Sequence, residues 1–263
     1  MSTNGAESPA ADLFDRPQLP IVTELRLAAS FLTILPVGPA RADNEAVAAS
    51  FGWFPIVGFA IGVALAFEDC LWGHLFSATL RSALVVLSLT AVTGAVHLDA
   101  LADTADALGA GRDRDRALRI LHDSRIGSFG AAAIFLSLVL KISALASIAG
   151  TRRYVAIFAA AGIARWAMVA VSSGLEYLRS EGGAGTALLK RDPGNLALAS
   201  LATACALIPI FSVRVIGAAV AAVLLTLAAR SFYRRWLGGV TGDLIGACGE
   251  IVEMAVLIVF AAF

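Results

Sequence analysis

Seven apolar runs divide this 263-residue sequence, at 51–67, 82–96, 126–149, 154–173, 196–211, 215–229 and 245–263. Crossing the hydrocarbon core takes about 20 residues of helix, so the shorter runs must extend into their flanks. Lipid offers no partner for backbone N–H and C=O groups, which leaves the helix as the form for runs of this length. Composition agrees: 59% hydrophobic and 15% charged residues, against about 45–50% and 25% in soluble domains. The expectation is an all-α, polytopic integral membrane helix bundle of about seven transmembrane helices, within roughly six to eight. Gly58 and Gly62 form a pair of small residues four apart, suited to close helix packing. Segment 19–37 is apolar but interrupted by Glu24, Arg26 and Pro36; it can lie in the interface, re-enter, or add a helix.

Charge orients the chain. If 51–67 crosses from inside to outside, the inside segments hold 14 Arg and Lys residues and the outside segments 4: Arg81, Arg152, Arg153 and Arg214. Lys141 and Arg165 lie within spans. The excess predicts that segment 97–125 faces the cytoplasm. Residues 1–20 lack the basic start and early apolar core of a signal peptide and read as a disordered cytoplasmic tail. Zero net charge gives no basic field for nucleic acid. Cys70, Cys205 and Cys248 show no ligand spacing and read as small apolar residues.

Directly after the second run, Asp99, Asp103 and Asp106 stand four and three residues apart. On a helix they share one stripe, within roughly 60° of each other. Three carboxylates in one stripe repel unless a positive charge lies among them. The simplest such partner is Mg²⁺, which takes oxygen ligands; the alternative is a solvated helix face. An acidic site for a hard cation at a membrane surface points to phosphate chemistry.

Other candidates each carry two readings. Arg125 precedes Gly127 and Gly130, an arrangement that lets a phosphate approach a guanidinium and backbone N–H groups together; otherwise it is an ordinary charged anchor beside turn glycines. The alternating Arg and Asp run 112–119 reads as a solvated, self-paired segment. His97 is either structural or a ligand or general base beside the aspartates. Glu250 and Glu253 fall inside the last run. Charges there face a polar interior or a cavity, and Lys141 and Arg165 can neutralise them.

Taken in order, His97-Leu-Asp-Ala-Leu-Ala-Asp-Thr-Ala-Asp106, Asp123-Ser-Arg-Ile-Gly127 and Thr241-Gly-Asp-Leu-Ile-Gly-Ala247 with Glu250 resemble the cobalamin synthase (adenosylcobinamide-GDP ribazoletransferase) family. Phe31-Leu-Thr-Ile-Leu-Pro-Val-Gly38 and Phe54-Pro-Ile-Val-Gly58 are also similar to that family. The resemblance runs over about 25–260, with Ala100 and Ala107 standing where glycines occur in many members. It implies a transferase of the bacterial inner membrane, Mg²⁺-dependent, its single catalytic domain over 21–263 and its active site facing the cytoplasm. The enzyme would join adenosylcobinamide-GDP to α-ribazole, or α-ribazole 5′-phosphate, and release GMP.

On that resemblance Asp99, Asp103 and Asp106 hold the metal, and His97, Asp103 and Arg125 are catalytic. Asp123, Ser124, Arg125, Gly127, Asp243 and Glu250 contact substrate. The partners are these small molecules and the lipid bilayer, with assembly as a homo-oligomer left open. Two rivals are a CDP-alcohol phosphotransferase, whose aspartate spacing is absent here, and a secondary transporter using the buried Glu, Lys and Arg residues.

Overall fold

The computed structural model describes residues 20–39, 44–111, 113–123, 125–178 and 193–262. The tail expected at 1–20, save Pro20, lies outside the described residues, as do Ser124 and the stretch 179–192.

The chain is a multi-pass helical bundle. Its helices are α1 (Pro20–Leu32), α2 (Asn44–Ser50), α3 (Phe54–Trp72), α4 (Ala78–Val92), α5 (Val96–Leu108), α6 (Arg114–Ile120), α7 (Ser128–Ser147), α8 (Thr151–Ser172), α9 (Pro193–Leu207), α10 (Val213–Trp236) and α11 (Gly242–Ala262). Among the described residues six segments are long and apolar enough to cross a membrane, one of them the continuous stretch Asn44–Trp72 built from α2, a 3₁₀ turn and α3. The pair α4 and α5 forms a seventh, bent by 87° between its halves. Helix α1, at 13 residues, is about 20 Å long and falls short of the roughly 30 Å core. It packs instead on α2 and α3.

Helix α8 is the axis of the bundle. Half of its buried residues are Ala or Gly, and its most extensive contacts are with α3 and α11. A Cβ on Gly62 would stand 2.8 Å from the Phe158 Cα, so the small-residue pair predicted at 58 and 62 is what lets α3 reach α8. Helices α9 and α10 show mostly apolar, outward-facing side chains, the surface a helix presents to lipid.

The two ends differ. At one end Asp69 is fully buried and takes Arg153 in a two-pronged pair at 2.7 and 2.8 Å, with Arg81 3.6 Å away. Arg153 was expected in a loop; it lies in the first turn of α8, and burial is tolerable because the carboxylate, Ser82 Oγ and the Leu145 carbonyl accept its hydrogen bonds. At the other end, strands β1 (Glu176–Tyr177) and β2 (Gly239–Val240) pair in parallel. There Arg114 Nε donates to Leu237 O at 2.8 Å and Trp236 Nε1 to Gly111 O at 3.1 Å. Segments 97–125, 174–178 and 236–243 are therefore brought together. Arg114 is half-exposed and pairs with Asp115 at 3.8 Å, as the sequence suggested, and through its bond to Leu237 it also docks α6 on the end of α10.

The bend between α4 and α5 changes the geometry expected of the acidic segment, which does not continue the span before it. Gly94 (φ +62°) and Ala95 (φ +58°) are both left-handed. The second is strained for a residue with a Cβ. They turn α5 sideways across α11 and α7. Gly246 permits the crossing, since a Cβ there would come within 2.7 Å of the Ala100 Cβ.

Candidate active site

Where α5 crosses α11, their first turns open on one cavity of about 290 Å³. Asp99 enters it from α5 and Asp243 from α11, whose start is capped by Thr241 Oγ1 accepting from Leu244 N at 3.3 Å. Each carboxylate lies in the first turn of its helix, where the dipole's positive end favours a negative group. Asp99 is exposed to solvent. Asp103 follows one turn later on the same stripe of α5 and is half-buried.

Asp106 has a different occupation. Its Oδ2 accepts from Gly127 N at 2.7 Å and its Oδ1 from Gly130 N at 2.9 Å. It therefore caps the N-terminus of α7, and a Cβ at Gly127 or Gly130 would run into the carboxylate. Both glycines make room for Asp106, whereas the sequence suggested room for a phosphate, and the Gly127 N–H is already taken. Among the described residues no three His, Cys, Asp or Glu side chains converge as a ready-made metal cage. Mg²⁺ is commonly held by one or two carboxylates, with waters and substrate phosphates completing the set. Asp99 and Asp243, which line the cavity together, are of the type and number that demand allows.

His97 faces away from the acidic stripe. It is buried, lines the cavity on one side, and on the other lines a small void floored by a cluster of charges. Its Nδ1 lies 3.5 Å from Arg165 Nη2. A guanidinium only donates, so the nitrogen facing it is the unprotonated one, and the proton is assigned to Nε2. That arrangement makes His97 a poor proton acceptor toward the cavity.

Glu250, expected as a substrate contact, does not line the cavity and belongs to the buried cluster. Lys141 Nζ lies 2.6 Å from both Glu250 Oε1 and Glu253 Oε1. Ser137 Oγ donates to Glu250 at 2.7 Å, and Arg165 pairs with Glu253. Two cations and two anions balance, as the sequence suggested for Lys141 and Arg165. The cluster ties α7, α8 and α11 together behind α5.

Arg125 also stands apart from the cavity. Its side chain is 86% exposed and grips Asp123, with Nη2 to Oδ2 at 2.6 Å and Nε to Oδ1 at 3.0 Å. Those bonds hold the Asp123 carboxyl below the usual carboxylate range and raise the Arg125 guanidinium in turn. The pair lies beside the start of α7, where Asp106 docks.

Sequence reasoning missed the large side chains of the cavity wall, Phe31, Phe51, Phe54, Met168 and Tyr177. Phe31 and Phe54 open two of the segments on which the family resemblance rested, and that was the available signal. Tyr177 arrives through the β1 and β2 pairing, which nothing local in its sequence announces.

Residues 24–261 match the family described as cobalamin-5-phosphate synthase. The chain belongs to the cobalamin-5-phosphate synthase family. Its relatives include proteins named adenosylcobinamide-GDP ribazoletransferase from Desulforamulus reducens, 35% identical over 89% of this chain and 94% of the relative. Those from Bradyrhizobium diazoefficiens and Syntrophobacter fumaroxidans are 38% and 37% identical, over 92% and 88% of this chain and 95% and 94% of theirs. No solved structure matches the chain. As a member of this family the chain is a transferase of cobalamin biosynthesis.

Proposed function

We propose that the chain joins adenosylcobinamide-GDP to α-ribazole or α-ribazole 5′-phosphate, giving adenosylcobalamin or its 5′-phosphate and releasing GMP. The observation that carries this reading is the match, over about nine-tenths of the chain, to relatives named for that transfer. The cavity supports it, because two carboxylates from two helix starts meet there beside aromatic side chains.

A ribose hydroxyl attacks the phosphorus that carries cobinamide. The new P–O bond forms as the bond to the GMP oxygen breaks, and the hydroxyl proton leaves for a carboxylate. Negative charge grows on the bridging and leaving oxygens, so catalysis rests on positioning and on neutralisation. Asp99 and Asp103 would hold Mg²⁺. Bound there, the cation would supply positive charge to the diphosphate. Asp243 is the proton acceptor, because His97 turns its free nitrogen toward Arg165. Arg125 meets phosphate oxygens outside the cavity in this reading, exchanging the Asp123 carboxylate for a substrate anion of similar shape. Asp106 positions the α7 start that carries this loop. The active site faces the cytoplasm of a bacterial inner membrane in this reading, as the 14-to-4 split of loop cations supports.

The test uses purified protein in mild detergent with adenosylcobinamide-GDP and α-ribazole 5′-phosphate, with and without Mg²⁺. GMP and the cobalamin product should appear together and only with the metal. No GMP release with either acceptor would overturn the reading. A transporter is disfavoured by the salt-bridged balance of its would-be relay, which leaves no unmatched charge to couple to a substrate.

A further inference from the structure

The cavity between α5 and α11 has a chemistry of its own. One wall is aromatic: Phe51 and Phe54 stack with ring centroids 4.5 Å apart, and Phe31 leans on Phe51 at 6.1 Å. The facing wall carries the carboxylates of Asp99 and Asp243, and no lysine or arginine lines the space among the described residues. A carboxylate accepts hydrogen bonds and donates none. The pocket is therefore built for a ligand with a flat apolar part and neutral hydroxyl donors. An unaccompanied phosphate is disfavoured there. Its volume, about 290 Å³, lies at the small end of the roughly 300–1,000 Å³ typical of ligand pockets. It suits a nucleoside and excludes a corrinoid macrocycle.

We propose that this cavity is the acceptor subsite: the planar bicyclic base of ribazole lies against Phe31, Phe51 and Phe54, and its ribose hydroxyls meet Asp99 and Asp243. The inference rests on the proposed transfer reaction and adds which substrate enters the cavity. The nucleoside enters base first. The corrinoid diphosphate stays at the mouth, within reach of Asp99, and any 5′-phosphate on the acceptor points outward. Attack then runs from inside the cavity toward the mouth, which separates the hydroxyl from bulk water. Aromatic stacking tolerates different flat bases because each presents a π-face, so the wall selects for shape over a hydrogen-bonding code.

Phe31 is the residue to test, because it is 36% exposed and its truncation leaves the buried core intact. Steady-state GMP release is measured with each substrate varied in turn. In Phe31→Ala the KM for α-ribazole should rise on the order of tenfold, the scale of one lost base stack, while the KM for adenosylcobinamide-GDP stays put. Phe31→Tyr should restore the wild-type value. Equilibrium dialysis of α-ribazole against the same proteins in detergent, without the second substrate, should show a matching loss of affinity. An unchanged KM and affinity for α-ribazole in Phe31→Ala, or a change confined to adenosylcobinamide-GDP, overturns the assignment. Should the wild type release no GMP, the transfer reading fails, and dialysis still decides the subsite: binding weakened by Phe31→Ala sustains it, and no binding refutes it.

Discussion

Asp106 separates two accounts of the acidic stripe. As a metal ligand its loss would raise the Mg²⁺ requirement; as the cap of α7 its loss would loosen the fold. Its two oxygens accept from Gly127 N at 2.7 Å and Gly130 N at 2.9 Å. Hydrogen bonds to a charged acceptor contribute about 1.5–3 kcal/mol each, yet the site is half-open and water replaces part of that. Removing a helix cap costs about 0.5–2 kcal/mol. Asp106→Ala should therefore destabilise the protein by about 2 kcal/mol, at the upper end because charge and dipole add. Asp106→Asn keeps one acceptor and should cost about 1 kcal/mol. Denaturant unfolding in mild detergent, followed by tryptophan fluorescence, reads these values. A Mg²⁺ titration of GMP release reads the other account. Orienting partners of metal ligands change affinity about 10–100-fold when lost, so Asp99→Asn should raise the half-saturating Mg²⁺ at least tenfold while Asp106→Asn leaves it unchanged. An Asp106→Asn protein of normal stability, with its Mg²⁺ requirement raised as far as in Asp99→Asn, would falsify the cap and restore three ligands.

Lys141→Met leaves Glu250 and Glu253 buried with Arg165 as their only cation in the cluster, and should destabilise by about 3–5 kcal/mol. Adding Glu250→Gln restores the charge balance and should recover most of that, so a non-interacting double-mutant cycle in the same unfolding assay refutes the cluster. Arg125→Lys should lose most kcat/KM for adenosylcobinamide-GDP because lysine cannot reproduce the two-pronged grip; equal kinetics for Lys and Arg rule the clamp out. The depressed Asp123 carboxyl means the Asp123–Arg125 pair is complete above the ordinary aspartate range and opens only as pH falls through the lowered value. Arg125-dependent activity should accordingly show no acid limb from Asp123 near neutrality, which a pH profile of kcat/KM checks. Ala95→Gly removes a Cβ from a left-handed residue and should stabilise by about 1 kcal/mol; a loss of stability would mean that the turn prefers its alanine.

The spans were legible because lipid allows one solution for a run of apolar residues, and each predicted run became a helix, although α10 continues seven residues past the expected end at 229 and α4 stops at Val92, before the bend that falls inside the run 82–96. Gly58 and Gly62 announced a close helix contact for the same reason: only a missing Cβ lets backbones approach. The acidic residues were legible as a stripe, since their spacing sets their face, and the charge balance of Lys141, Arg165, Glu250 and Glu253 could be written down before any contact was known. Partnership was not legible. Asp99, Asp103 and Asp106 look alike in sequence, and only the 87° turn at Gly94 and Ala95 carries one to the cavity and another to the start of α7. Glu250 and Asp243 share nearly one face of α11, two turns or about 10 Å apart, and the point at which α5 crosses that helix leaves one in the buried cluster and the other at the cavity. Periodicity along a chain fixes which side chains share a face; what that face meets depends on how helices cross, and crossing is set by contacts between residues far apart in sequence.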